Sequence, residues 1–159
     1  FAYFSDSYRT ESAIMLVQKK KLKNLISVKN LKEFSLLKNF RLGVNRGNWY
    51  GEAFEKLNKE KYFKKIIKTT TKEIQLYKML NKGRISGILV DKYSGFSFLK
   101  KLKYREHIIP HPVKIYSDDI FVMFSKKSVK KSFVEQFNKS LKKIKDDGTH
   151  KKILNRYIN

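Results

Sequence analysis

The chain has 159 residues and no cysteine, which excludes disulfides, thiolate metal sites and cysteine nucleophiles. Its hydrophobic content of 41% suits a folded chain of one domain or two small lobes. The 37 lysines and arginines against 14 acidic residues give a formal charge of +23, which favours polyanionic partners. The alternative is that the lysines only cover solvent-exposed faces, and their dispersal in short runs along the chain favours this alternative.

The first part of the chain predicts two strands with a helical turn between them. Residues 13–17 form a short apolar run that is typical of a buried strand. The alternation over residues 40–44 predicts another strand. Between the two, Ser27 can cap a helical turn that reaches Phe34.

The middle of the chain begins with a glycine-centred turn at residues 45–48. A helix is predicted over residues 49–58, and residues 63–68 predict the next strand. Thr70 followed three residues later by Glu73 predicts a capping box that opens a second helix.

Residues 85–90 form a near-continuous apolar run, which predicts a strand buried on both faces. Asp91 follows it and can cap a helix that runs to Lys101, and residues 107–113 predict an extended segment. Strand and helix therefore alternate, which predicts a small, mostly parallel α/β sheet with helices on both faces. Ligands bind such sheets beyond the carboxyl ends of strands, so the turn at residues 45–49 and Asp91 are candidate positions.

The C-terminal part predicts one strand and two helices. Residues 120–124 read as a buried strand. Apolar residues at spacings of four, four and three mark one face of a long helix: Phe133, Phe137, Leu141 and Ile144. Beyond a break at residues 147–149, a last short helix is predicted to bury four side chains: Ile153, Leu154, Tyr157 and Ile158.

Six segments carry a resemblance to a known family because they occur in one order over nearly the whole chain. They are FSDSYR at residues 4–9, AIMLVQK at 13–19, LK followed by RLGV and Gly within 31–47, NKGRISGILVD at 81–91, FSKK at 124–127, and FNKSL followed by DGTHKKIL within 137–154. Together they resemble the type 2 periplasmic solute-binding proteins of the amino-acid ABC transporter class, also called bacterial extracellular solute-binding protein family 3. Ser7 stands where the family has proline, and Ser86 where aspartate is usual.

The resemblance implies a two-lobed α/β clamshell. Residues 19–117 correspond to lobe 2, with a mixed, mostly parallel sheet flanked by helices. Residues 1–18 and 118–159 correspond to the hinge strands and the C-terminal part of lobe 1. The N-terminal part of lobe 1 has no counterpart in this sequence.

The implied function is capture of a polar amino acid or similar small solute for ABC-type import, in the periplasm or another extracytoplasmic location. Ligand binding would close the lobes, and the membrane subunits of the importer would recognise the closed form. No nucleophile motif, paired carboxylates or phosphate loop indicates an enzyme, and no cofactor is implied. His107 and His111 do not suggest a metal site because Pro110 and Pro112 prevent a shared helix.

Two alternatives stay open. The same clamshell can serve as the ligand-sensing domain of a signalling protein. The charge alternatively indicates a basic protein that binds nucleic acid or an anionic polymer. No nucleic-acid motif is present, so specific nucleic-acid binding is not expected, whereas contact with an anionic surface remains open.

The resemblance also assigns site residues. It places the α-carboxylate of an amino acid on Gly47, Asn48 and Trp49 at a helix N-terminus, where N–H groups and the helix dipole favour anions. It places the α-ammonium on Asp91, whose alternative role is helix capping, as for Asn48. Trp49 would line the cleft or pack in the core, and Thr71 would touch the ligand from another helix start.

Overall fold

The computed structural model describes residues 1–158, which form six strands, one 3-10 helix and eight α-helices. The strands are β1 (Ala2–Gln18), β2 (Leu42–Asn45), β3 (Ile67–Thr70), β4 (Gly87–Asp91), β5 (Ile108–Pro110) and β6 (Tyr116–Ser125). The 3-10 helix is Lys19–Lys21, and the α-helices are α1 (Leu22–Leu25), α2 (Leu31–Phe34), α3 (Glu52–Leu57), α4 (Lys61–Lys64), α5 (Glu73–Asn81), α6 (Lys92–Lys101), α7 (Lys131–Asp146) and α8 (Thr149–Ile158). Over the described residues, no helix combines the length and the apolar character needed to cross a bilayer.

The sheet is mixed. Its order is β3-β2-β4-β1-β5, with β6 pairing to β1. Strand β2 is parallel to both β3 and β4, whereas β1 is antiparallel to β4 and β5. The α/β fold with a mixed sheet is therefore confirmed, but the prediction of a mostly parallel sheet is wrong, because β1 runs antiparallel to both β4 and β5. Strands β2, β3 and β4 all end at one edge, the carboxyl edge.

Two compact units make up the chain. The sheet unit is Ser12–Tyr116, and it contains β2 to β5 together with the pairing half of β1. The terminal unit is Phe1–Glu11 together with the chain from Ser117 onward, and it contains α7 and α8.

Strand β4 shows how the sheet unit is packed. Ile88 and Val90 lie in a hydrophobic cluster with the helices α5 and α6, whereas Leu89 lies in a second cluster with α2 to α4. All three side chains are essentially inaccessible to solvent. Alternate side chains of a strand point to opposite faces, so the continuous apolar run reflects helices on both sides of the sheet, as predicted.

Helix α2 starts later than predicted. Its N-cap is Asn30, whose side chain accepts a hydrogen bond from the Glu33 N–H at 3.1 Å. Ser27 therefore does not cap this helix. The arrangement resembles a capping box, because the Glu33 carboxylate in turn accepts from the Asn30 side-chain amide at 2.6 Å and from the Lys29 N–H at 2.8 Å.

The region before α5 also differs from the prediction. Phe63 lies in helix α4 rather than in a strand, and β3 begins only at Ile67. Thr70 belongs to β3, and its hydroxyl donates to the Lys72 carbonyl at 3.2 Å instead of capping α5. The predicted capping box is wrong because the N-cap of α5 is Lys72, and the Glu73 carboxylate accepts a bond from Tyr77 instead.

The terminal unit buries less apolar surface than predicted. Phe124 on β6 packs against Phe133 and Phe137 of α7, with ring centroids 5.9 and 5.2 Å apart. The alternate residues Phe121 and Met123 are 51% and 60% exposed, so β6 is covered on one face only. In α8, Ile153 and Tyr157 are also exposed, and the prediction that this helix buries them is wrong.

Candidate functional site

Three neighbouring parallel strands of the sheet unit end at the carboxyl edge. β2 ends at Asn45, β3 at Thr70 and β4 at Asp91, and Asn45 lies opposite Thr70 in the register. The predicted site residues all lie at these strand ends or in the turns beyond them: Gly47, Asn48, Trp49, Thr71 and Asp91. The structure thus brings the five residues to one edge, where ligands bind to open α/β sheets.

The loop after β2 is held by its own hydrogen bonds. The Asn45 N–H donates to the Tyr50 hydroxyl at 2.9 Å, and the Asn45 side-chain amide donates to the Asn48 side-chain oxygen at 3.3 Å. The Asn48 N–H donates to the Asn45 carbonyl at 3.3 Å. Gly47 has a φ of +85°, so the turn uses the left-handed region that glycine adopts at little cost.

Helix α3 does not begin where the sequence predicts. Its N-cap is Gly51, with a φ of +92°, and its first residue is Glu52. The prediction that Gly47, Asn48 and Trp49 form the helix start is therefore wrong, and α3 is in any case only six residues long. Their role as ligand contacts stays a prediction, with loop N–H groups rather than a helix dipole to support it.

Trp49 lines an open cleft. Its side chain is 53% exposed, and its ring meets the Tyr116 ring edge-on, with centroids 4.5 Å apart. The cleft has a volume of about 410 Å³. It is lined by Val44, Asn45, Arg46, Gly47, Asn48, Trp49, Tyr50, Phe54, Glu55, Asn58, Ile67 and Thr69.

Two carboxylates put negative charge at the carboxyl edge. Asp91 accepts a hydrogen bond from the Ser94 N–H at 2.9 Å and caps α6, which confirms the capping prediction. Burial raises the pKa of Glu73, the bond from the Tyr77 hydroxyl at 3.0 Å partly offsets this, and the charge of Asp91 raises it further. The charge of Asp91 therefore acts on Glu73, and a cation placed here would relieve that repulsion.

Two tyrosines border this charge as hydrogen-bonding groups. Burial raises the pKa of Tyr50 to about 12, with the Glu73 charge contributing in the same direction. Burial, and then the charge of Glu73, also raise the pKa of Tyr77. Both hydroxyls therefore keep their protons at neutral pH: Tyr77 donates its proton to Glu73, whereas Tyr50 accepts from the Asn45 N–H.

Glu73, Tyr77 and Tyr50 were not predicted as charged or hydrogen-bonding members of this site. The sequence assigned Glu73 only to a capping box. A signal was present, since Glu73 and Tyr77 are four residues apart and lie on one face of a helix. Acidic residues are also scarce in this chain, so a carboxylate beside a predicted strand end indicates a functional site.

We expect Glu73→Gln to flatten the pH dependence of folding stability. Because burial raises the folded-state pKa of Glu73 above its ordinary value of 4.5, the folded state holds its proton more tightly than the unfolded state does. Stability from this group is thus lost as pH rises through the window above 4.5, and the variant lacks that loss while its amide oxygen still accepts from Tyr77. Unfolding free energies at a series of pH values check this.

The matched control is the exposed Glu60→Gln, which changes the net charge equally within the sheet unit. Parallel stability curves for the native chain and Glu73→Gln across this pH window would contradict the assignment.

Histidine serves a structural role in the sheet unit. His111 is 3% exposed, its Nε2 lies 2.8 Å from the Leu25 carbonyl, and its Nδ1 accepts from the Val113 N–H at 3.0 Å. Within residues 1–158, no group of three or more His, Asp and Glu side chains is arranged to hold a metal ion.

No protein-family model and no curated protein sequence matches this chain. Its fold does match solved structures. An ancestral cationic amino acid solute binding protein shares 19% identity at a TM-score of 0.73, over 99% of this chain and 62% of that one. An amino acid ABC transporter substrate-binding protein from Streptococcus pneumoniae bound to L-arginine shares 21% identity at a TM-score of 0.69, over 99% and 60%.

A polar amino acid ABC uptake transporter substrate binding protein from Streptococcus thermophilus shares 20% identity at a TM-score of 0.66, over 98% of this chain and 56% of that one. The chain thus spans about three fifths of the length of these structures. The similarities confirm the type 2 periplasmic-binding-protein-like fold that the sequence resemblance implied.

Proposed function

We propose that this chain is part of an extracytoplasmic solute-binding protein that captures an amino acid for an ABC importer. The observation that carries the proposal is the pair of carboxylates, Asp91 and Glu73, at the carboxyl edge of three parallel strands in a chain of net charge +23. In this setting a retained negative site favours a ligand ammonium group. The names of the three matched structures, all amino-acid-binding proteins, support the same class.

The ligand would be held at both charged ends. Asp91 would accept from the α-ammonium, and Glu73 would add to the field. The α-carboxylate would lie against the loop N–H group of Gly47, and the side-chain amide of Asn48 would donate to it, since the Asn48 N–H is already bonded to the Asn45 carbonyl. Thr71, exposed at the end of β3, offers a hydroxyl.

Trp49 extends this proposal to the side chain of the ligand. Its exposed ring lies beyond the end of β2, at the same carboxyl edge as Asp91, and an indole face attracts a guanidinium or ammonium group. The proposal therefore names a basic amino acid, with L-arginine as the first compound to test. The names of two matched structures, one for cationic amino acids and one bound to L-arginine, agree with this choice.

The wider context is proposed from the resemblance. Residues 19–117 would act as the second lobe, and residues 1–18 with 118–159 as part of the first. The membrane subunits of an ABC importer would be the protein partners.

We expect Asp91→Asn to weaken L-arginine binding by roughly 10- to 150-fold, since a hydrogen bond to a charged group contributes about 1.5–3 kcal/mol. Asparagine caps helices as well as aspartate does, so the bond from Ser94 and the start of α6 should survive. Isothermal titration with L-arginine measures the affinity, and thermal unfolding checks the fold.

The control is Asp147→Asn in the terminal unit, which replaces another aspartate whose side chain accepts from a backbone N–H, that of Thr149 at 2.8 Å. It should leave the affinity unchanged. Nα-acetyl-L-arginine, which lacks the α-ammonium group, should bind the native chain poorly. Its affinity for the Asp91→Asn variant should be no lower than its affinity for the native chain. Equal affinity of the native chain and Asp91→Asn for L-arginine would remove Asp91 from the site.

A further inference from the structure

Positive charge is concentrated in one segment of the sheet unit. Residues 19–41, here called the basic segment, connect β1 to β2 and contain a single acidic residue, Glu33. Eight basic side chains lie in it, and all are exposed: Lys19, Lys20, Lys21, Lys23, Lys29, Lys32, Lys38 and Arg41.

Buried apolar side chains fix the basic segment to the sheet unit. Every third residue in its middle is buried in one hydrophobic cluster of the sheet unit: Leu25, Val28, Leu31 and Phe34. The Leu25 carbonyl also contacts His111, 2.8 Å from its Nε2. The segment is therefore a fixed layer on the sheet, and its cations are presented outward from an ordered backbone.

The one acid in the segment does not neutralise these cations. The Glu33 carboxylate accepts from the Lys29 N–H at 2.8 Å and from the Asn30 side-chain amide at 2.6 Å. Among the described residues, none of the eight basic side chains forms an ion pair. Their charge is thus available to an external anion.

Two apolar side chains stand among these cations. Ile26 is 50% exposed and Leu36 is 74% exposed. The two aromatic residues of the segment, Phe34 and Phe40, are buried. Exposed aliphatic groups between lysines fit the boundary of a lipid surface, where the cations meet headgroup phosphates and the apolar groups reach toward the acyl chains.

We propose that the basic segment docks on the surface of an anionic phospholipid bilayer. A nucleic-acid partner fits less well because stacking platforms for bases are aromatic, and within this segment no aromatic side chain is exposed. Seven of the eight cations are lysines, which act as point charges and suit diffuse attraction rather than bidentate recognition.

Docking in this way leaves the candidate ligand site open. The basic segment leaves β1 beside Gly87, the first residue of β4, and enters β2 at Leu42. It therefore begins and ends at the amino edge of the parallel strands, whereas Asp91 lies at the carboxyl edge. Membrane contact and solute binding would occupy different ends of the sheet unit.

Co-sedimentation with vesicles tests the proposal. The native chain should bind vesicles of phosphatidylcholine that contain phosphatidylglycerol and should not bind vesicles of phosphatidylcholine alone. The triple variant Lys20→Gln, Lys21→Gln, Lys23→Gln should lower the partition coefficient on the order of 100-fold, since each lysine near an anionic surface contributes about fivefold. Circular dichroism should show unchanged folding.

The matched control is Lys127→Gln, Lys130→Gln, Lys131→Gln, three exposed lysines of the terminal unit whose replacement changes the net charge equally. It should retain most of the binding. A loss as large as that of the first triple variant would mean that net charge alone drives binding, and it would overturn the docking surface.

The double variant Ile26→Ser, Leu36→Ser separates a bilayer from a soluble polyanion. It should reduce the vesicle binding that persists at raised salt, because salt screens charges but not the apolar contact. Unchanged binding of this variant at raised salt would overturn the bilayer assignment. So would binding to single-stranded DNA or polyphosphate without binding to the anionic vesicles.

Discussion

Phe34→Ala should lower the free energy of unfolding of the sheet unit by about 3–5 kcal/mol, the range for removal of a buried phenylalanine side chain. Phe34 is fully buried, and its ring lies 4.9 Å from the Phe40 ring and 5.3 Å from the His111 ring, centroid to centroid. The variant would leave a cavity where the basic segment meets the sheet, and these neighbours are too well packed to collapse into it.

Leu36→Ala is the matched control for that variant. Leu36 lies two residues further on and is 74% exposed, so its loss should change stability by no more than about 0.5 kcal/mol. Urea unfolding followed by far-UV circular dichroism measures both. A cost below about 1 kcal/mol for Phe34→Ala would mean that the basic segment is not anchored as described.

Gly51→Ala should destabilise the sheet unit by about 2–5 kcal/mol, from two separable causes. Gly51 has a φ of +92° and a ψ of 159°, a region that is open essentially to glycine alone. A Cβ atom there would also lie 2.9 Å from Cβ and Cδ2 of Tyr116, which is too close for a ring held by Trp49.

Gly47→Ala is a control that keeps a positive φ but lacks the steric contact. Gly47 has a φ of +85°, but a Cβ atom there would meet no atom within 4 Å. This variant should therefore cost only the backbone strain, about 1–2 kcal/mol. Equal unfolding free energies for the two variants in urea would show that Tyr116 yields at no cost, and the contact would then not determine where α3 begins.

The strand β4 and the cap of α6 could be predicted because their causes are local. A continuous apolar run can be satisfied only by burial on two faces, and Asp91 needs nothing beyond the first turn of the next helix to act as a cap. The edge of the sheet that carries the candidate site could also be predicted from these elements, because ligands bind beyond the carboxyl ends of parallel strands.

The start of α3 was misplaced because Gly51 adopts a φ of +92°, which is outside the helical region, next to a residue that lies far along the chain. The ring of Tyr116 packs on Gly51, and the sequence around Trp49 contains no trace of that contact. The role of Glu73 was missed for a related reason. A capping box and a bond to Tyr77 are both compatible with its position, and only the folded helix decides between them.

Strand β6 shows a third kind of limit. Its apolar run resembles that of β4, so the sequence predicted equal burial. Burial depends on how many layers cover a strand, and β6 has helix α7 against the face that carries Phe124, while Phe121 and Met123 remain exposed. Composition alone carries no information on the number of layers.

Trp49 gives the molecule an optical reporter of its own. It is the sole tryptophan of the chain, it is half-exposed, and it borders the cleft beside Tyr116. Indole emission shifts to shorter wavelength when water leaves the ring. A solute that binds in this cleft should therefore shift the emission maximum of Trp49 to shorter wavelength, without a label. Acrylamide, which quenches accessible indoles by collision, would then lose access in proportion to occupancy.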